Sequence, residues 1–234
     1  PEEIALPYLE TGRLRRVLQE HELALRRCVS KHRPSPIQRV LRQASGHLDL
    51  VNGGDAPEPL AVFSTDITEL RYDGGTRKAY LMAFVDIAGK LVPGWALSPR
   101  ADRRLALAAW TRTKATLSRL GRSTVGLIVH SDQDAVYTSY DWLHCLLVRD
   151  GVRVSYSERG CKDNPWIESL WGRLKTEIGS RITEAESFAE LEDVLTERFT
   201  RYNTRRRHSS IENRSPLNYL RTQGIDTAPL LSHT

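Results

Sequence analysis

Three acidic residues, Asp66, Asp132 and Glu168, stand where their side chains can act together. Asp66 closes the run AVFSTD and Asp132 closes GLIVHSD, two apolar approaches of the kind that form strands. Strand ends of open sheets are where ligands sit. Glu168 belongs to DNPWIESLWGRLKTE, residues 163–177, in which Asn164 suits a helix cap and Pro165 the first helical position. Each acid has an ordinary explanation by itself: a turn-former or cap at a strand end, or a dipole-favoured acid in a first helical turn. Together, three carboxylates repel one another unless cations lie among them, and hard divalent ions take such oxygen ligands. Two ions held about 3.5 to 4 Å apart clamp the attacking and leaving oxygens of an in-line phosphoryl transfer. Lys175, seven residues after Glu168, shares its helix face.

The elements that must position these acids show in the patterning. Residues 60–70, 78–89 and 91–98 are short runs rich in β-branched and aromatic side chains, split by DGG at 73–75 and AGK at 88–90. They predict a three-stranded antiparallel meander whose third strand, interrupted by Pro93, is irregular or at an edge. Residues 101–120 form a helix ending at Gly121 and lead into the apolar run 123–132, which implies a crossover helix and a buried parallel strand. A helix near 136–149, a strand over 152–157, a loop and the helix of Glu168 follow. The order βββαβαβα predicts an α/β fold, a mixed five-stranded sheet with helices on both faces. In the tail 183–220, Thr183 and Glu186 read as a capping box opening an amphipathic helix. That tail carries Arg205, Arg206, Arg207 and His208, either an exposed solvated end, the usual meaning of such a run, or a phosphate-contacting patch.

The chain of 234 residues is 40% hydrophobic, long enough to bury a real core, and its formal charge of +5 tilts the expected partner toward polyanions. Cys28, Cys145 and Cys161 are odd in number, far apart and without a CxxC, which suggests neither a disulfide framework nor a zinc site. A reducing cytoplasm is expected, with no membrane partner, because no apolar run approaches the length of a membrane helix. Met82 is the single methionine, so residues upstream of Pro1 are expected to be missing. The organisation expected is a basic helical segment and linker over 1–57, a catalytic core over 58–182, and a C-terminal helix with a basic tail over 183–234.

TDIT at 65–68, HSDQ at 130–133, Asp163–Asn164, Glu168, Leu174–Lys175 and YNTRRRH at 202–208 resemble, in that order, the core of DDE transposases related to retroviral integrases. The 35 residues from 133 to 167 that separate the second acid from the third fit the same pattern. Within that superfamily the likeness is to bacterial insertion-sequence transposases of the copy-out, paste-in type, and it covers about Leu14 to Leu220. The resemblance implies a ribonuclease-H-like fold with Asp66, Asp132 and Glu168 as the catalytic, metal-binding triad, served by two Mg2+ ions per active site, with Mn2+ as the alternative. Lys175 resembles the lysine that contacts DNA near the active site. Asn164 either orients DNA or caps its helix, and Arg205, Arg206, Arg207 and His208 complete the expected DNA contacts.

The function implied is DNA transposition: cleavage at the element's ends to free a 3′-hydroxyl, then strand transfer. The partners implied are double-stranded DNA, as transposon ends and target, and further copies of the chain as a homodimer or higher multimer on DNA. The location implied is the nucleoid of a bacterial cytoplasm, with an upstream helix-turn-helix aiding end recognition. Two departures stand out: Asp134 where relatives usually carry Gly, and Lys90 where they often carry Arg. Two rival readings share the acids or the basic surface, a structure-selective nuclease on the same fold and a noncatalytic DNA-binding remnant, the latter supported by Asp134. Asp86 reads as a turn acid before Gly89, and His130 as a structural hydrogen-bonding residue rather than a ligand.

Overall fold

The computed structural model describes residues 48–52, 56–157 and 164–231, together with Ile37 and Arg39. The basic helix and linker expected over 14–40, with Cys28, Cys161 and Asp163, lie outside these residues, apart from Ile37 and Arg39. The chain divides into two compact units, Pro1–Pro34 and Ser35–Thr234, and the described residues belong to the second.

β1 (Val62–Tyr72), β2 (Arg77–Asp86) and β3 (Trp95–Ser98) form the antiparallel meander, and β4 (Ile128–Ser131) and β5 (Arg153–Tyr156) extend it in parallel, giving the order β3-β2-β1-β4-β5. β3 is an edge strand, the place where Pro93 beside it does least harm. The period of two along β2 divides the core: Met82 and Phe84 point into one layer, Leu81, Ala83 and Val85 into the other. The first layer packs under α1 (Arg103–Arg119), α2 (Tyr140–Leu143) and the π-turn His144–Arg149, with Trp110 and Trp142 fully buried. The second packs under α3 (Pro165–Glu184) and α4 (Phe188–Arg205) through Ile167, Leu170, Trp171, Leu174, Leu191, Leu195 and Phe199. At about 1.5 to 3 kcal/mol for each large apolar side chain withdrawn from water, four α3 residues hold that helix firmly to the sheet. α5 (Pro216–Thr222) and α6 (Ala228–Leu231) close the described chain.

The architecture is the expected one, a mixed five-stranded ribonuclease-H-like sheet with helices on both faces, and several details differ from the sequence reading. Asp66 lies within β1, not at its end, because the apolar alternation continues through Leu70 and Tyr72 against β2. The parallel strand begins only at Ile128, since residues 125 and 126 form a turn at Gly126, whose φ is +81°. The expected helix over 136–149 begins only at Tyr140, after a turn, and runs as α-helix to Leu143 and as π-helix over His144–Arg149. The capping box is Ser187 with Glu190: the Ser187 hydroxyl accepts from Glu190 N, and Glu190 accepts from Glu186 N. Thr183 is still inside α3, where its hydroxyl donates to Gly179 O.

Asp86 is the turn acid the sequence suggested. Its Oδ2 accepts from Gly89 N at 2.8 Å, and burial pushes its pKa up to about 7 despite backbone N–H groups of Leu60, Gly89 and Ala88. A carboxyl that holds its proton more tightly when folded favours the fold at low pH, and that stability is lost as pH rises from about 4 toward 7. Asp86→Asn, which cannot ionise, should therefore gain on wild type by about 1 to 3 kcal/mol between pH 5 and pH 8 in urea melts. An unchanged difference would contradict the assignment. Gly94 has a different reason to be glycine: a Cβ there would lie 2.4 Å from Thr113 N in α1. Gly94→Ala should cost about 1 to 3 kcal/mol or more in the same melts.

Candidate active site

β1 and β4 pair in parallel with Val62 opposite Ile128, Phe63 opposite Val129 and Ser64 opposite His130. The same register carried two residues further sets Asp66 against Asp132. β4 stops at Ser131, so β1 beyond that point has an open flank, and both acids stand at it. Asp132 turns the chain there: its Oδ1 accepts from Asp134 N at 3.0 Å. His130, below it, is fully buried with Nδ1 2.9 Å from Ser155 Oγ, a structural role as expected.

α3 is fixed to the same stretch of β1 by polar contacts at two heights. Asn164 is buried; its Oδ1 accepts from the Ser64 hydroxyl, and its Nδ2 donates to Thr65 O at 3.2 Å. Trp171 Nε1 donates to Asp66 Oδ2 at 3.1 Å. Residues 164, 168, 171 and 175 recur every three or four positions and so form one stripe along the helix. Glu168 is bracketed by the two anchors, which sets it beside Asp66, and its carboxylate is exposed. Lys175, on the same stripe, is exposed as well.

The electrostatics report this proximity. Burial, with help from Asp132 and Glu168, pushes Asp66 up to about 6 against the opposing bonds from Ile67 N and Trp171. Burial also raises Asp132, with Asp134 adding to it, so the extra acid in the HSDQD turn is felt at the site. Tyr137, buried beneath, is pushed well up by burial and then by Asp66 and Asp132. None of the three acids forms an ion pair among the described residues. Unpaired oxygen donors crowded together suit a hard divalent cation. Among the described residues, however, no three His, Cys, Asp or Glu side chains already stand close enough to hold one ion. Asp66 and Asp132 fit such an ion by donor chemistry, and the Glu168 side chain is exposed beside them.

The remaining candidates separate. Asn164 holds the N-cap position of α3 as expected but makes no side-chain capping bond: the Ser64 and Thr65 groups of β1 would otherwise be buried unpaired, and the buried amide is spent on them. The Arg205–His208 run is not one patch. Arg205 and Arg207 are exposed, whereas Arg206 pairs with Glu177, which also takes Arg198 at 2.8 Å. His208 is folded against Tyr202 with ring centroids 5.0 Å apart, and its pKa falls to about 4, chiefly from burial and then from Arg206, Arg173 and Lys90. It is a neutral wall rather than a cation. Sequence patterning showed Trp171 only as packing; its place three residues after Glu168 was the available signal for an anchor of Asp66. Tyr137 carried no such signal.

Comparison with known proteins gives this geometry its context. Two integrase core domain families match, one over residues 56–161 and the other over 150–216. The transposase InsF for insertion sequence IS3A of Escherichia coli is 33% identical over 174 residues, covering 69% of this chain and 54% of that protein. The transposase for insertion sequence element IS904 of Lactococcus lactis is 31% identical over 170 residues, 70% of this chain and 62% of the relative. The chain thus spans about half the length of InsF. Among solved structures, the HTLV-2 integrase catalytic core domain in complex with magnesium, in its trimeric form, superposes with a TM-score of 0.54 at 13% identity, covering 69% of this chain and 96% of that one. The catalytic core domain of BIV integrase gives 0.51 at 18% identity, covering 70% and 97%. The fold is shared with the retroviral cores, the sequence resembles that of the bacterial transposases, and residues 56–216 of this chain carry the integrase core domain.

Proposed function

We propose that the protein is a DNA transposase whose Asp66, Asp132 and Glu168 hold two divalent metal ions for cleavage and strand transfer at insertion-sequence ends. The observation that supports this reading most is the placement of Asp66 and Asp132 at the open flank of β1 with Glu168 on the α3 stripe beside them, none of the three in an ion pair among the described residues, in a chain with an integrase core domain. Bound Mg2+ would supply charge stabilisation at the attacking and leaving oxygens. The chain's own residues do the rest. Trp171 Nε1–H and the Ile67 N–H donate to the Asp66 carboxylate and hold it in place, Asn164 fixes the start of α3, and Lys175 offers a compact positive charge to a DNA phosphate two turns beyond Glu168. Arg205 and Arg207 add backbone contacts, which position a duplex without reading its sequence. Transposon ends, target DNA and further copies of the chain are the partners, and a bacterial cytoplasm is the setting.

One observation favours a second reading. No preassembled three-residue metal cluster exists among the described residues, as a noncatalytic DNA-binding remnant would also show. The two separate at Glu168. Glu168→Gln keeps the side chain's shape and helix propensity but removes its charge, so a metal ligand would be lost and a mere first-turn acid barely missed. Cleavage of a labelled element end in Mg2+ should fall by at least about 100-fold, with DNA binding kept and the melting temperature moved by no more than about 1 kcal/mol of stability implies. Wild-type-like cleavage by the variant would sink the catalytic assignment, and a wild type that binds element ends without cutting them would favour the remnant.

A further inference from the structure

A cavity of about 400 Å3 opens on the flank of α3 away from the Glu168 stripe. Three segments distant in sequence meet there: Lys90 from the β2–β3 turn, Ser169 and Arg173 from α3, and Arg207, His208 and Ser210 from the chain after α4. No carboxylate lines it. The cations around it differ from those on the far side of α4. There, Arg181 pairs with Glu197, and Arg198 and Arg206 share Glu177. Arg173 and Arg207 have no ion-pair partner among the described residues, and the recorded bond of the Arg173 side chain is a long one, Nε to Ser169 Oγ at 3.4 Å. Lys90 is held in place at a positive φ of 59°, with Nζ donating to Ile87 O.

The wall of the cavity records the resulting field. His208 Nε2 is buried with no hydrogen-bond partner, and after burial the causes that keep the ring neutral are cations: Arg206, Arg173, Lys90 and Arg198. Guanidinium groups without ion-pair partners among the described residues, and serine hydroxyls, around one opening form a donor-rich, positive site suited to an anion. Guanidinium forks match phosphate oxygens in pairs, and the space exceeds one phosphate, enough for a phosphodiester with its sugar.

We infer that this cavity is a phosphate pocket that seats one backbone phosphate of the bound DNA strand, setting the strand's register over the first turns of α3, where Glu168 lies. The inference rests on the proposed DNA transposase function and adds Lys90 and Arg173 to the binding surface. Ser169 and Glu168 are consecutive residues on different faces of α3, so a strand anchored in the pocket reaches the acidic site by passing round the start of the helix. Phosphate contacts of this kind fix position and carry no sequence information.

The test uses the full chain and the double variant Arg173→Gln, Arg207→Gln, both positions being exposed. Fluorescence anisotropy with a labelled duplex oligonucleotide gives affinity as a function of salt. The double variant should bind about 10-fold more weakly, and the slope of log affinity against log salt should fall by about 1, as expected for one lost phosphate contact. Inorganic phosphate, titrated while the His208 ring is followed by NMR, should shift that ring in the wild type and not in the double variant. Unchanged affinity and slope in the double variant would overturn the pocket, even with wild-type cleavage intact and the catalytic reading standing. A His208 shift with phosphate but no change in the duplex slope would overturn the DNA assignment, leaving a site for free phosphate. If the slope falls as predicted while Glu168→Gln still cleaves, the pocket stands and the catalytic reading fails.

Discussion

The attachment of α3 to β1 is the constraint on which the rest of the site depends. A helix packed by apolar contacts alone can slide or rotate by small amounts at modest cost, whereas buried polar groups accept only arrangements that pair them. Asn164 satisfies Ser64 and Thr65 at one height, and Trp171 reaches Asp66 at another. Two such contacts along one stripe fix both the rotation and the translation of the helix. Glu168, between them, has no freedom left except in its own side chain. The same stripe carries Lys175, so one helix orientation sets the third acid and the nearest cation together.

That constraint also explains why the acids are tolerated. Carboxylates are costly to gather, and here Asp66, raised by burial and by Asp132 and Glu168, is offset by an indole N–H and a backbone N–H while Asp132 is spent partly on its own turn. The basic groups are kept to other sides of α3 and to the chain after α4, where part of them neutralise Glu177 and Glu197 and part remain unpaired. An acidic site flanked by cations without ion-pair partners suits an anionic ligand held from both sides.

Much of the fold was legible because it follows from short-range patterns: the meander from its alternation and DGG turn, the crossover helix from its propensities, the start of α3 from Asn-Pro. What patterning missed lies in tertiary contacts. Asp66 looked like a strand end because it closes the apolar run AVFSTD, yet β1 continues to Tyr72; it is the partner strand that stops, at Ser131, and leaves the acid at an open flank. Asn164 looked like a cap, yet a buried pair of β1 groups claims its amide. The run Arg205–His208 looked uniform, but α4 ends within it, turning Arg206 to Glu177 and His208 against Tyr202. Residue type suggested three acids and their order; only the parallel register of β1 and β4 says why two of them face each other.

The central claim is that Asp66, Asp132 and Glu168 together hold metal, and anomalous diffraction from crystals soaked in Mn2+ tests it most directly. The account predicts anomalous density within coordination distance, about 2.0 to 2.6 Å, of the Asp66 and Asp132 carboxylates, with the Glu168 side chain closed onto the same site. Saturating Mn2+ bound elsewhere, or a Glu168 carboxylate left pointing to solvent beside an occupied Asp66 and Asp132, would contradict it.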